Sequence, residues 1–443
     1  MKVQLSDHFS YKKLMQFVLP TIFMMIVTSV YSIVDGFFVS NFASKNAFAA
    51  VNLIMPVLMM IASVGFMIGT GGSALVSKTL GEGKSKRANE IFTMLIMTII
   101  IFALIVMVVA FIFMPNIAKA LGASDLIIED CITYGRISLC SIGFFMLQNA
   151  FQSFLVTAQK AKLGLIFSII SGVNNIVFDF ILVYLLKMGV AGAAIATAIS
   201  ETLGGLLPML YFLNKKNTSL LHLVKTKINP KPLFKACSNG LSEMLTNIST
   251  SLVSMIYNFQ LMKVAQENGI SAYGVIMYVS FIFMAFFFGY AVGINPIIGY
   301  NYGAKRQDEL KNVLKKSLTL TGIAAIVIFA AAQLSAPLIA KIFVGYDSAL
   351  CEMTAQALRL YSAAFLLSGF NIFSSAFFTG LNNGKISAII SSMRTLVIQI
   401  IAVIVLPMLF GITGIWISLA VSEAVTILLT SVFLITNKKK YGY

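Results

Sequence analysis

Twelve long apolar segments recur along the whole length of this 443-residue chain. Each contains about 20 residues or more, the length that an α-helix needs to cross the hydrocarbon core of a membrane. The composition agrees, because 58% of the residues are hydrophobic and only 11% are charged, too few polar groups to coat a soluble protein of this size. The sequence therefore predicts an all-α polytopic membrane protein with transmembrane helices at 14–38, 47–76, 91–116, 131–157, 163–186, 189–213, 236–262, 270–301, 312–340, 353–380, 386–409 and 411–436.

The basic residues are unevenly distributed between the connections of these helices. If the N-terminus is cytoplasmic, 24 of the 32 lysines and arginines fall on cytoplasmic segments, which is the bias that orients membrane proteins. We therefore expect both termini on the cytoplasmic side of a bacterial plasma membrane. The net charge of +16 then reports topology and minor contact with anionic lipids, not nucleic-acid binding. The outer loops carry one lysine each, namely Lys45, Lys119, Lys187, Lys263 and Lys341.

The two halves of the chain resemble each other. The loop "GEGKSKRANEIF" corresponds to "GAKRQDELKNVL" at an offset of 222 residues, and two later stretches correspond at nearly the same offset. They pair Arg136 with Arg359 and Glu201 with Glu423. A constant offset over three stretches predicts two six-helix lobes in the same orientation. We predict an N-terminal lobe at 1–213, a cytoplasmic basic linker at 214–235 and a C-terminal lobe at 236–443.

The lobes differ in the acidic residues of their helices. Five carboxylates lie within predicted spans, where each costs about 2.5–3.5 kcal/mol on the lenient insertion scale. Aligning the halves places Gln399 opposite Asp179 and Arg394 opposite Asn174. Carboxylates are therefore concentrated in the first half. The five are Asp35, Asp179, Glu201, Glu243 and Glu423.

Polar side chains of three helices are predicted at a similar depth in the N-terminal lobe: Asp35, Asp179 and Thr197. Asn175 and Asp179 are four residues apart and share one helix face, as do Ala193 and Thr197. Oxygen ligands of this kind suit Na⁺, and two carboxyl groups forced together can carry a proton near neutral pH. The alternative is that these side chains only hold the helices together by hydrogen bonds.

Four further residues are weaker candidates for the wall of a substrate cavity. Glu243 would attract cationic substrates or contact basic loop residues. Glu201 and Glu423 are symmetry-related, which favours a shared structural pairing over a unique chemical role, and Arg394 is expected to bind carbonyl groups or these acids. Pro20 lies about four helical turns before the first carboxylate of the predicted site and removes one backbone hydrogen bond, which permits a hinge.

Several motifs carry a family resemblance. The twelve-helix layout, "LPTIFMMIVTSVYSIVDGFFVSNF", the "LGEGKSKRANE" loop and "NNIVFDFILVY" followed by "GVAGAAIATAISE" resemble the multidrug and toxic compound extrusion (MATE) family, most closely its DinF-like branch, over essentially the whole chain. The NorM-like branch uses acids of the C-terminal lobe, where Glu243 is the only comparable candidate. The resemblance implies export of organic cations and other drugs in exchange for H⁺ or Na⁺, with a cation site formed by Asp35, Asn175, Asp179, Thr197 and the carbonyl of Ala193.

We therefore expect a monomeric antiporter that exports amphipathic, mostly cationic small molecules by alternating access. H⁺ or Na⁺ is the coupling ion, and no enzymatic activity, cofactor or obligate protein partner is expected. A lipid-linked saccharide flippase of the same superfamily is the main alternative, which a cavity lined by several arginines would favour. A passive channel is the third, although no selectivity filter is visible. The four cysteines lack CxxC spacing, so neither a metal cluster nor disulfides are expected.

Overall fold

The computed structural model describes residues 3–214 and 216–443, so Lys215 of the predicted linker and the side chain of Lys45 lie outside the described part. The described chain is helical almost throughout. Short π-helical segments extend α1 and α5 and join α11 to α12, at Val39–Ala43, Phe180–Leu185 and Met393–Val397. The helices are α1 (Tyr11–Phe38), α2 (Lys45–Gly81), α3 (Ser85–Ala120), α4 (Ile128–Thr157), α5 (Ala161–Asp179), α6 (Gly189–Leu213), α7 (Pro230–Gly303), α8 (Gln307–Val344), α9 (Ser348–Ser362), α10 (Phe365–Gly380), α11 (Gly384–Ser392) and α12 (Ile398–Tyr441).

Twelve membrane crossings result when the two longest helices are divided at their kinks. The backbone of α7 breaks at Gln266, where φ is 54° and ψ is −145°, and α12 breaks in the same way at Gly411. We call 230–265 and 267–303 the first and second arms of α7. The helices α9 and α10 are bent by 44° relative to each other and form one crossing. The predicted twelve-helix, six-plus-six layout is therefore confirmed, with helices that extend beyond the predicted spans.

The backbone itself repeats between the two halves. Left-handed residues, which are uncommon outside glycine, occur at matching turns. Their positions in the two halves are separated by the offset found in the sequence. A non-glycine residue in the left-handed backbone region costs about 1–2 kcal/mol. The recurrence of left-handed residues at matching positions therefore reflects the same turn geometry in both halves. The pairs are Gly83 with Lys305, Gln159 with Asn382, and Gly189 with Gly411.

The segment between the lobes lies along the N-terminal lobe. Its backbone is extended, and two of its N–H groups donate to polar side chains of α3. The amide of His222 donates to the Asn89 Oδ1 at 3.0 Å, and that of Val224 donates to the Thr93 Oγ1 at 3.0 Å. The predicted linker at 214–235 is shorter in the structure, because α7 already begins at Pro230, a residue favoured in the first helical turn.

The two lobes pack together at the end of the molecule that carries the basic loops. We call this end the basic face and define it by residues 82–84, 158–160, 304–306 and 381–383. Here α2 runs between the two arms of α7. Gly71 lies so close to Ala236 and Gly240 of the first arm that a Cβ would overlap their backbone, and Gly303 of the second arm meets Lys78 in the same way. Close backbone packing of small residues therefore holds the two lobes together at this face.

The segment before α1 adds a second connection at the basic face. It belongs to the N-terminal half of the sequence but lies on α8 of the other half. The Phe9 amide donates to the buried Glu309 Oε1 at 2.9 Å, and the Lys316 ammonium donates to the Phe9 carbonyl at 2.6 Å. His8 contacts the other Glu309 oxygen at 2.6 Å. The segment before α1 therefore connects one lobe to the other through its contacts with α8.

Candidate functional site

Helices α1, α5 and α6 bring the predicted site residues together. The Thr197 hydroxyl of α6 donates to the Asp35 Oδ1 of α1 at 3.3 Å. The close approach of α1 to α5 depends on Gly172, since a Cβ there would lie 2.8 Å from the Tyr31 ring. Asp35 also lies beside Asp179 and Asn175 of α5. The structure thus joins residues that are far apart in the sequence.

Asp179 and Asn175 are buried without partners for their acceptor atoms. Asp179 is 0% exposed and Asn175 is 2% exposed. Neither Asp179 oxygen, nor the Asn175 Oδ1, accepts a hydrogen bond from any described residue. A buried polar group without a partner costs about 1–3 kcal/mol, and an ionised one costs more. These atoms form a set of buried acceptors to which no described residue donates.

The helices that carry Asp35 and Asp179 change geometry close to these carboxylates. The chain becomes π-helical at Phe180, directly after Asp179, and α1 becomes π-helical at Val39, one turn after Asp35. Wider turns of this kind occur frequently at functional sites, because they change the direction of side chains and the pairing of backbone carbonyls. The local backbone is therefore consistent with a site and not only with helix packing.

No basic side chain neutralises this cluster. Six salt bridges occur in residues 3–214 and 216–443, and none of them involves Asp35, Asp179 or Glu201. Two carboxylates, an amide oxygen and a hydroxyl are ligands that suit Na⁺, and a carboxyl pair can instead hold a proton. Ala193 lies buried on α6 one turn before Thr197, where the sequence predicts a carbonyl ligand.

Glu201 lies one turn beyond Thr197 on α6 and lines a small cavity together with it. The Ser141 hydroxyl donates to the Glu201 Oε2 at 2.5 Å. Sequence analysis missed Ser138 and Tyr134 of α4, which also line this cavity. Polar residues spaced at helical intervals in an otherwise apolar span were the available signal. The cavity and the cation site share Thr197 and are therefore adjacent.

The other three residues predicted at the substrate cavity, Arg394, Glu423 and Glu243, belong to the C-terminal lobe. The Arg394 Nη1 and the Glu423 Oε1 form a salt bridge of 3.1 Å, and their residues are 6% and 1% exposed. Ser368 and Asn371 also donate to Glu423, at 2.9 and 2.7 Å. The structure thus places Arg394 against an acid, one of the two partners predicted for it. Glu243 is half-buried in the first arm of α7, within electrostatic range of Arg394.

Hydrogen bonds between helices show that the residue positions of the two lobes correspond differently from the predicted alignment. The Ser200 hydroxyl donates to the Ser171 carbonyl at 2.8 Å, and the Ser422 hydroxyl donates to the Arg394 carbonyl at 3.0 Å. Arg394 therefore occupies the position of Ser171, and the predicted match with Asn174 is wrong. That alignment paired polar with polar side chains, whereas helix packing determines which positions correspond.

The same equivalence shows which residues of the C-terminal lobe occupy the positions of the candidate cation site. The sequence offset places Tyr257 at the position of Asp35 and Leu419 at the position of Thr197. The Tyr257 hydroxyl lies 2.7 Å from the Ser418 hydroxyl, so it is satisfied without an ion. These two positions of the C-terminal lobe therefore supply no carboxylate.

The predicted hinge residue lies in an unbroken helix. Pro20 is buried within α1, which is helical from Tyr11 to Phe38, and the backbone of Ile22 on the next turn packs closely against Gly289 of the second arm of α7. The part of the first span nearer the basic face thus packs against the opposite lobe. Bending at Pro20 remains a prediction.

Comparisons with known proteins agree with this architecture. A sequence profile of the MatE family matches the chain twice, over residues 20–181 and 244–405. The multidrug export protein MepA of Staphylococcus aureus (strain MRSA252) is 24% identical over 421 residues, which covers 94% of this chain and 91% of that protein.

Solved structures show the same fold. An outward-facing multidrug resistance MATE family transporter of the MOP superfamily has a TM-score of 0.93 at 22% identity and covers 99% of this chain and 98% of its own. A MOP superfamily transporter from Pyrococcus furiosus has a TM-score of 0.91 at 23% identity, over 100% and 99% of the two chains. With the family profile matched once in each half, this chain belongs to the MatE family of membrane transporters.

Proposed function

We propose that this protein is an antiporter that exports amphipathic, mostly cationic small molecules by alternating access, in exchange for H⁺ or Na⁺. One observation carries the proposal. Asp179 and Asn175 present buried acceptor atoms without partners beside Asp35, and no basic side chain neutralises them. A cation taken from solution would satisfy these atoms, which links ion binding to the energy of one conformation.

The packing of α1 connects this site to the interface of the lobes. Asp35 lies on the same helix as the region around Pro20, which packs on the second arm of α7 at the basic face. Loading the site with a cation removes a buried negative charge and changes the partners of Asp35 on α5 and α6. We infer that α1 then bends or slides, and that substrate and ion compete for overlapping space in the N-terminal lobe.

Multidrug export is supported by the named activity of the relatives, the MepA protein and the outward-facing transporter. The charge of the observed cavity favours cationic substrates, since Glu201 lines it and no arginine does. A saccharide flippase would need free arginines, and Arg394 is bound to Glu423. A channel would need a continuous path, and the close backbone packing of α2 against both arms of α7 at the basic face argues against one. We place this face in the cytoplasm of a bacterial plasma membrane, following the distribution of positive charge.

Uptake of a fluorescent organic cation into inverted membrane vesicles tests the proposal when H⁺ and Na⁺ gradients are imposed separately. Asp35→Asn and Asp179→Asn are expected to abolish uptake driven by either effective gradient, because an amide keeps the size of the side chain but cannot exchange a charge. Asp125→Asn, in an exposed loop, is the matched control and should transport normally. Wild-type rates in both site variants, at equal amounts of inserted protein, would refute the proposed site.

A further inference from the structure

We propose that Glu201 binds the cationic head group of the substrate, and that a guanidinium or amidinium fits this position best. The proposal rests on the proposed export of organic cations and adds a subsite and a chemical preference to it. It follows from comparing Glu201 with Glu423, the residue that occupies the equivalent position in the other lobe.

In the C-terminal lobe, the glutamate at this position has a full set of hydrogen-bond and charge partners. Three side chains donate to the Glu423 carboxylate: Arg394 at 3.1 Å and Ser368 at 2.9 Å to Oε1, and Asn371 at 2.7 Å to Oε2. The Arg394 guanidinium supplies the positive charge. A buried carboxylate is stable when it is paired with a charge and fully hydrogen-bonded, and Glu423 meets both conditions.

The N-terminal lobe has the same carboxylate without this partner. Ser171 occupies the position of Arg394, and its hydroxyl is used by the Ser200 carbonyl at 2.8 Å. Glu201 accepts one hydrogen bond among the described residues, from Ser141 to Oε2. Its Oε1 accepts none from them and its charge meets no basic side chain. The carboxylate that pairs with an arginine in one lobe thus has no basic partner among the described residues of the other.

The surroundings of Glu201 are those of a ligand site. Ser138 is 5% exposed, lines the same cavity, and its hydroxyl has no hydrogen-bond partner among the described residues. It provides a second acceptor for a head group that carries several N–H donors. The remaining wall includes Met55, Met59 and Phe145. Flexible thioethers and aromatic rings around a few polar groups suit the apolar part of varied ligands.

The proposed preference follows from the geometry of hydrogen bonds to a carboxylate. A planar guanidinium offers a fork of donors that can bond Glu201 and Ser138 at once. A trimethylammonium has the same charge but no donor, and a urea has the donors but no charge. If charge alone determined affinity, the guanidinium and the trimethylammonium would bind equally. The difference between their affinities therefore measures the hydrogen bonds made in the subsite.

Equilibrium dialysis of the purified, detergent-solubilised full chain tests this with benzylguanidinium, benzyltrimethylammonium and benzylurea, in the absence of any ion gradient. We expect benzylguanidinium to bind at least about tenfold more tightly than benzyltrimethylammonium, the worth of one charge-assisted hydrogen bond. Benzylurea should bind most weakly. Glu201→Gln should remove the preference, whereas Glu267→Gln, the same change at an exposed position, should keep it.

A second variant supplies the missing group from the protein. Ser171→Arg introduces a guanidinium at the position of Arg394, and we expect it to lower the affinity for all three compounds because it occupies Glu201. A preference that survives Glu201→Gln, or one that disappears in Asp179→Asn, would overturn the assignment. Because binding is measured without a gradient, failure of coupled export and failure of this subsite are separate results.

Discussion

The two lobes share one backbone plan and treat buried charge in opposite ways. In the C-terminal lobe Arg394 and Glu423 neutralise each other, and Ser368 and Asn371 complete the hydrogen bonds of the carboxylate. In the N-terminal lobe Asp179 is buried and has neither a hydrogen-bond partner nor a salt bridge among the described residues. One lobe contains its own cationic partner for the buried acid, and in the proposed mechanism the other takes a cation from solution.

In the proposed mechanism, this difference between the lobes couples ion binding to their movement. A symmetric pair of ion sites would load both lobes equally. With only one lobe short of positive charge, ion binding changes the balance of forces on one side, where α1 reaches across to the second arm of α7. Asymmetric charge is therefore a direct route from ion occupancy to movement of one lobe against the other.

The largest effect is expected from breaking the complete pair. Arg394→Met should leave Glu423 buried without its charge partner and destabilise the protein by about 3–5 kcal/mol, the usual cost of removing one member of such a pair. The melting temperature of the purified protein in detergent would report it. Arg394→Met combined with Glu423→Leu should recover most of the loss. If Arg394→Met alone were as stable as the wild type, the salt bridge would not be what stabilises the buried Glu423 carboxylate.

In the N-terminal lobe, removing a buried charged group is expected to raise the stability of the protein, the opposite of the effect of Arg394→Met. Asp179→Asn in Na⁺-free buffer should stabilise the protein by about 1–3 kcal/mol, because it replaces an acceptor-only group by an amide that can donate to Asp35. Melting curves with and without Na⁺ measure this change. Asn175→Asp is the matched reverse change and should destabilise. Equal losses in both variants would mean that the cluster is already satisfied in the folded protein.

The next effect distinguishes the two coupling ions. Asn175→Ala and Thr197→Ala remove neutral oxygen ligands, which bind dehydrated Na⁺ directly but only adjust a carboxyl that carries a proton. Loss of one such ligand should weaken Na⁺-driven uptake by roughly tenfold, the worth of about 1.4 kcal/mol. Uptake driven by an H⁺ gradient should change little. Equal and mild losses with both gradients would identify a proton carrier.

The smallest effect concerns the hinge. Pro20→Ala restores a backbone hydrogen bond and should stiffen α1, so turnover falls a few-fold while substrate affinity is retained. Initial uptake rates and equilibrium binding, measured on the same vesicles, separate the two. Pro56→Ala in α2 serves as a proline control within another span. Unchanged turnover would show that the lobes move as rigid bodies.

The sequence by itself determined the number of crossings, the repeat and the residue types of the cation site. These features follow from local patterns, since the length of an apolar segment and helical spacing are readable from neighbouring residues. Asp35, Asn175, Asp179 and Thr197 could be grouped because each stood out as polar in an apolar span. The DinF-like assignment and the direction of the termini stay predictions.

Tertiary structure alone decided which charges meet. Arg394 pairs with Glu423, and corresponds to Ser171, because α5 packs on α6 and the π-helical segment before α12 packs on the second half of α12 in the same register. No spacing in the chain encodes that register. The cavity at Glu201 likewise needs Ser138 from α4 and Met55 from α2. Contacts between helices depend on the shape of both partners, and a linear pattern describes only one partner at a time.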